Sequence, residues 1–249
     1  ATSVDDALAM VQVCQANGVK LGLGFELRFH PAHSLAKDLV SHGKLGRVRL
    51  LQGHWGRGER GEPEHLPRSG LRGWWEDPEA MGGGSVIMGL GVHLFDLVRF
   101  VMGQEITEVT AMTDGQTDTQ PLEHIASMSL RLEDGTIANI SCGRMLPDTL
   151  NNFTIYGTDG RFTGTATVWE AQMGAVEVVS ETVNQTESYE YDYLANFVAE
   201  LTDFHAALKE DREPAATGED GLRSTEINSS VIQSAKTGRI VKIEHRAVN

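Results

Sequence analysis

Cysteine is nearly absent from this chain. Two residues among 249, Cys14 and Cys142, cannot build a disulfide framework or supply the four ligands of a structural zinc site. Long apolar runs are missing too, since no stretch approaches the ~20 residues that span a bilayer as a helix. The N-terminus lacks the basic-then-apolar layout of a secretory signal, and a cytoplasmic address is the expectation. Positive charge is the minority sign, with 21 Lys and Arg against 35 Asp and Glu and a net charge of −14. That balance argues against nucleic acid or an anionic membrane as the main partner, because both select basic surfaces. Internal repeats and low-complexity segments do not occur.

What is present reads as a globular protein. Apolar residues make up 40% and charged residues 22%, within the ordinary range for a packed domain. The length corresponds to about one and a half to two average domains. Arginines gather at Arg57, Arg60, Arg68 and Arg72. A run of this kind is a solvated loop or a place to meet a small anionic group.

Along the chain, Ser3 can cap a helix with Asp5 and Asp6 in its first turn. Ala7, Met10, Val11 and Cys14 follow at helical spacing, and Asn17-Gly18 ends it. The apolar run Val19 to Phe25 predicts a strand buried on both faces. Pro31 starts a second helix that runs to His42-Gly43. Val48 to Trp55 reads as a strand, and Gly56 to Gly73 as a loop before Trp74-Trp75. Adjacent tryptophans plug a core or offer an aromatic platform for a sugar ring. From Ile106 the period changes to two, with hairpins at Asp134-Gly135 and Thr158-Asp-Gly160. Ala175 to Val183 adds another strand. The set predicts an antiparallel meander, one face of which can join copies of the chain. Helices follow over Tyr193 to Leu208 and Glu219 to Lys236, with a closing strand at Ile240 to Ile243.

One stretch carries the most chemical information: Met81-Gly-Gly-Gly-Ser-Val-Ile-Met-Gly-Leu-Gly-Val-His-Leu-Phe-Asp96. Glycines suit close backbone approach, and the helical run Leu94 to Met102 can hold His93 rigidly at its first turn. Such an imidazole is suited to general acid/base work. The alternative is a glycine-rich turn before a core helix, with His93 a satisfied buried histidine. A metal reading is weak, because His93 and Asp96 share a helix face without a convincing third ligand, and His30 with His33 starts another helix.

Six motifs stand in a telling order. They are the opening helix and buried run, Gly24-Phe-Glu-Leu-Arg-Phe-His-Pro31, Gly43-Lys-Leu-Gly-Arg-Val48, the Gly82 to Asp96 stretch, Tyr156-Gly-Thr-Asp-Gly160, and Ser234-Ala-Lys-Thr-Gly-Arg-Ile-Val241. The succession resembles the Gfo/Idh/MocA oxidoreductases, the family of glucose–fructose oxidoreductase and inositol dehydrogenase. The resemblance implies an α/β (α+β) fold with an open, mainly antiparallel sheet and helices packed on one face. Residues 1–25 would be the last helix and strand of a truncated Rossmann domain, and residues 26–249 a substrate-binding and oligomerisation domain. It further implies hydride transfer between a sugar or polyol carbon and NAD or NADP, with homodimers or homotetramers built through the open sheet. The cofactor is expected for the full-length protein and not tightly bound to this fragment, which is expected to be inactive alone. The family's glycine-rich fingerprint and catalytic lysine precede Ala1, so cofactor-binding residues are not assigned, and Gly22, Gly24 and Gly82 to Gly84 do not fit a GxGxxG role.

By the same resemblance, His93 is the catalytic acid/base, while Arg28, His30, Trp75 and Gly89 lie at the substrate cleft. Two of these depart from the family pattern. Gly89 stands where an aspartate usually precedes the histidine, and Trp75 stands where arginine often follows a tryptophan. Asp96 matches a further aspartate read as structural. Glu26 and Glu76 are the candidates for a replacement carboxylate, each read as a surface or structural residue. Alternative functions are a non-catalytic sugar-binding or assembly module, and an NAD-using relative that cleaves glycosidic bonds.

Overall fold

The computed structural model describes residues 1–60 and 70–248. Arg68 and part of the loop expected from Gly56 to Gly73 lie outside the described residues. A nine-stranded open sheet organises the chain, in the order β8-β7-β6-β5-β1-β4-β3-β2-β9. The strands are β1 Val48–Gly56, β2 Ile106–Thr113, β3 Ile125–Leu132, β4 Ile137–Gly143, β5 Phe153–Gly157, β6 Gly160–Thr165, β7 Gln172–Ser180, β8 Asn184–Asp192 and β9 Val241–Lys242. All neighbours are antiparallel except β1 and β4, which run parallel with Gly53 opposite Ile140.

Strict alternation along β3 buries Ala126, Met128, Leu130 and Leu132 and exposes the residues between them. The sheet therefore has one apolar face and one polar face. The apolar face is covered by α3, Val92–Met102, and α5, Gly218–Thr237, with α2, Pro31–Ser41, packed against α3. Leu51, Trp55, Phe153 and Phe162 of the sheet meet Leu94, Phe95, Val98 and Val231 in one continuous core. The polar face holds a shallow depression of about 510 Å³ lined by residues such as His54, Asn139, Ser141 and Arg161.

The cap expected at Ser3 holds, and a second cap forms at Thr217. Ser3 Oγ accepts from Asp6 N at the start of α1, Val4–Ala16, and Thr217 forms a reciprocal capping box with Asp220 at the start of α5. α1 packs on α5 through a small separate cluster of Ala7, Val11 and Leu222. The strand predicted at Val19 to Phe25 is not formed. The segment makes one isolated bridge, Gly22 to Thr217, and Val19 is 55% exposed. Among the described residues no parallel strand pairs with it, and Phe204 of α4, Ala195–Glu210, presses on Gly22 instead. β8 lies where no strand was expected, because at the sheet edge its residues carry almost no buried face.

Candidate functional site

The glycine-rich stretch is shaped by one buried carboxylate. Gly82 and Gly83 adopt left-handed backbone (φ +63° and +87°), and a Cβ at Gly82 would stand 2.8 Å from the Thr2 carbonyl oxygen. Beyond them, Glu123 Oε1 accepts from the amides of Ser85 and Ile87, each at 2.8 Å, while Oε2 accepts from Gln116 Nε2 at 2.6 Å. A single π-helical turn, Ile87–Gly91, then leads into α3. Such turns insert one extra residue and re-aim the side chains beyond them. This one delivers His93.

His93 is 22% exposed and faces Glu26, which is buried on the 3₁₀ turn Glu26–Phe29. Its Nδ1 lies 3.1 Å from Glu26 Oε2, at ion-pair distance but without the alignment of a good hydrogen bond. The Trp55 ring, 5.4 Å away, and the edge of Phe25, 6.1 Å away, wall the imidazole in. Burial disfavours its protonated form, yet Glu26, with Asp96 and Glu170 further out, holds its pKa above the ordinary value. With Nδ1 turned inward, the exposed edge of the ring is the one carrying Nε2.

Other charges complete the surroundings. Arg57 pairs with Glu170 at 2.6 Å and lies over the rings of Trp55 and Trp169, 5.3 and 4.9 Å from their centroids. Glu200 on α4 is pushed up to about 7 by burial and by the charge of Glu26, against the pull of His93. It borders a cavity of about 240 Å³ lined by Gly22, Gly24, Phe204 and neighbours.

The remaining expected site residues divide. Trp75 and Gly89 are brought together: a Cβ on Gly89 would stand 2.8 Å from Trp75 Cζ3, so the indole covers the place where a side chain at 89 would begin. Arg28 and His30, expected at the substrate cleft, are instead buried and committed within the protein. Arg28 Nε and Nη2 donate to Asp96 at 2.8 and 2.6 Å, Nη2 also meets Asp220 at 2.9 Å, and Nη1 donates to the Ala215 carbonyl. Four of its five N–H donors are thus committed within the protein. Burial works against this charge, but Asp96 and Asp220 hold the guanidinium firmly protonated. His30 caps α2 by accepting from Ala32 N, and its other nitrogen bonds Met173. The structural reading of Asp96 agrees with this geometry, since it is 1% exposed and binds Arg28 while lying 3.7 Å from Arg99.

Glu26 was weighted as a surface or structural residue; the structure buries it to 3% exposure beside His93. Arg57 stands out in sequence only as one of a loop cluster of arginines and Trp55 only as a strand end, while Glu170, Glu200 and Trp169 carry no local signal. No group of three or more His, Cys, Asp or Glu suited to a metal ion occurs among the described residues. Among the same residues, no helix is long and apolar enough to cross a membrane.

Comparison with known proteins adds to this picture. A family model described as the GFO/IDH/MocA C-terminal domain matches residues 33–163. The 1,5-anhydro-D-fructose reductase of Ensifer adhaerens is 28% identical over 98% of this chain and 70% of its own length. The myo-inositol 2-dehydrogenase of Thermotoga maritima is 24% identical over 96% of this chain and 69% of its own. Among solved structures, the aldose-aldose oxidoreductase of Caulobacter crescentus complexed with glycerol superposes with a TM-score of 0.81 at 24% identity, over 98% of this chain and 70% of that one. A levoglucosan dehydrogenase in complex with NADH and L-sorbose gives 0.81 at 18%, over 99% and 72%. These structural likenesses establish the fold.

Proposed function

This chain belongs to the Gfo/Idh/MocA oxidoreductase family, and on that premise we propose that it is the substrate-side part of a nicotinamide-dependent oxidoreductase acting on a sugar or polyol hydroxyl. His93 is the proton carrier: its Nε2 takes the hydroxyl proton when the carbon is oxidised and returns it in the reverse direction. The observation that carries this reading is a partly exposed imidazole on a rigid helix, with a buried carboxylate behind it. Half-buried Trp169, which packs on the core ring Trp55 beside the imidazole, and half-buried Trp75 over Gly89 supply apolar ring faces suited to the C–H face of a sugar. Residues 26–249 form the substrate-binding unit, with residues 1–25 assigned to a cofactor domain. The polar sheet face is where we assign self-association into dimers or tetramers.

The described residues do not fit a dinucleotide phosphate. The amides of Ser85 and Ile87 already bind Glu123, and Gly22 and Gly24 stand in no strand-turn-helix unit. What this chain itself supplies is therefore substrate seating and proton transfer. NAD or NADP is expected with the whole protein.

The test is an assay of the intact gene product with NAD⁺ and NADP⁺ against aldoses, ketoses, polyols and inositols. Turnover of at least one is expected, falling by ~10²–10⁴-fold in His93→Asn. No cofactor reduction with any of them, or full turnover by the variant, would sink the reading. A sugar-binding module without turnover draws on Gly89, which lacks the family's carboxylate. It predicts measurable sugar binding with no reaction in the same panel.

A further inference from the structure

In the family pattern a carboxylate stands four residues before the histidine. Here that position is Gly89, and a Cβ there would meet Trp75 Cζ3 at 2.8 Å and Cη2 at 3.4 Å. An aspartate has no room without moving the indole. A carboxylate nevertheless reaches the imidazole from another element. Glu26 Oε2 stands 3.1 Å from the buried His93 Nδ1, at ion-pair distance and short of hydrogen-bond alignment, and Glu26 is 3% exposed. Among the described residues, His93 is the only cationic partner at ion-pair distance from that buried carboxylate. A buried carboxylate is costly unless paired, and imidazolium is the partner at hand.

We propose that Glu26 is the positioning residue of this site, fixing the Nδ1–H tautomer of His93 and holding Nε2 toward the substrate, in place of a carboxylate at position 89. The functional consequence rests on the oxidoreductase reading above, whereas the contact itself has its own readout. A carboxylate behind an imidazole orients the ring and raises its basicity, as partners of catalytic and metal-bound histidines do.

Four acidic groups act on this ring. They are Glu26 from the 3₁₀ turn, Asp96 from α3 itself, Glu170 from the segment after β6, and Glu200 from α4. Asp96 is tied to Arg28 and Glu170 to Arg57, so their charges are largely answered elsewhere. Glu200 acts on both Glu26 and His93 and titrates near neutrality. Among these acids Glu26, 3.1 Å from Nδ1, acts most strongly on the ring.

The experiment is histidine NMR on the intact protein, with the His93 signals assigned by their loss in His93→Asn. In wild type, neutral His93 is expected to carry its proton on Nδ1 and to titrate above the ordinary 6.5. In Glu26→Gln the midpoint should fall by about one to three units, while Glu26→Asp, which keeps the charge, should retain part of the elevation. The same displacement should appear in the pH profile of turnover. An unchanged midpoint in folded Glu26→Gln overturns the proposal. So does a neutral wild-type ring protonated on Nε2, a result that needs no variant. If the coupling is found but His93→Asn keeps full turnover, the functional reading falls and the positioning role falls with it, while an absent coupling with turnover lost in His93→Asn removes Glu26 alone.

Discussion

Replacing Gly89 by alanine sets two effects of known sign against each other. Gly89 lies inside the π-helical turn Ile87–Gly91, and alanine is favoured over glycine in a helix by about 1 kcal/mol. Against this, the new methyl lands 2.8 Å from Trp75 Cζ3 and 3.4 Å from Cη2. Relaxed carbon contacts lie near ~3.5–4.0 Å, so the indole must retreat by roughly 0.7 Å or more. Trp75 is not free to do so without consequence. It packs on Trp74 at a ring separation of 5.0 Å, and the Arg144 guanidinium lies 5.8 Å from its centroid. Overpacking of this kind costs about 1–3 kcal/mol, which offsets or exceeds the helical gain. Gly89→Ala should therefore be neutral to destabilising by about 2 kcal/mol in urea denaturation. In a Trp75→Ala background the clash is gone, and the same substitution should stabilise by about 1 kcal/mol. The double-mutant cycle should thus return a coupling of roughly 1–3 kcal/mol. Equal stabilisation in both backgrounds would refute the placement of the indole over Gly89, and with it the claim that position 89 has no room for a carboxylate. Gly89→Asp carries the same clash and should lose stability without gaining activity.

Two further outcomes follow from buried polar groups. His30 and His33 are fully buried, and burial depresses them to about 4 and about 3. Both are neutral in the folded protein near pH 7 and take up protons on unfolding below ~6.5. Their contribution is complete above that pH and lost as pH falls, at up to about 2.7 kcal/mol per unit for two protons. Denaturant titrations between pH 8 and 5 should show this decline, and His33→Gln should shallow it; a slope identical to wild type would count against the burial argument. Asp96→Asn should cost about 3 kcal/mol, because it breaks a bidentate pair to Arg28 that is 7% exposed. Arg28 keeps Asp220 and the Ala215 carbonyl, which argues for the lower end of the usual 3–5 kcal/mol. A measured loss under about 1 kcal/mol would mean that Asp220 alone suffices.

Much of the fold was legible because local pattern and tertiary environment agree. β3 and β4 alternate in sequence and bury the apolar residues of one face. Ser3 and Thr217 cap helices through bonds within three residues, which sequence spacing captures directly. Disagreement arises where a partner decides the outcome. Val19 to Phe25 has the composition of a buried strand but, among the described residues, only one isolated bridge, and composition cannot report a neighbour. β8 has a strand's partner without its apolar face: residues 184–192 hydrogen-bond to β7 while almost all remain exposed. The parallel pairing of β1 with β4 is likewise invisible locally, since it joins residues nearly ninety positions apart.

How the polar residues around His93 are partnered could not be read from local sequence, for a reason that Glu26, Arg28 and His30 make plain. These polar residues alternate with Leu27 and Phe29 in a 3₁₀ turn, and all three are at most 7% exposed. Family pattern drew attention to Arg28 and His30, the cation and the imidazole, as ligand contacts. Yet a buried polar group must find a partner, and each of the three finds a different one: Arg28 the Asp96 carboxylate, His30 the Met173 backbone, Glu26 the His93 ring. Of the three, Glu26 is the one that faces the partly exposed imidazole. The two residues with the stronger chemical signature are thus consumed in holding the turn against α3 and β7. That fixation is what allows the third, a candidate replacement carboxylate read as surface or structural, to stand at ion-pair distance from the imidazole. A sequence signal did exist, in a lone acid within Leu23-Gly-Phe-Glu-Leu, where burial demands a counter-charge. Identifying that counter-charge as His93, 67 positions away, requires the approach of the turn to α3, which no local spacing encodes.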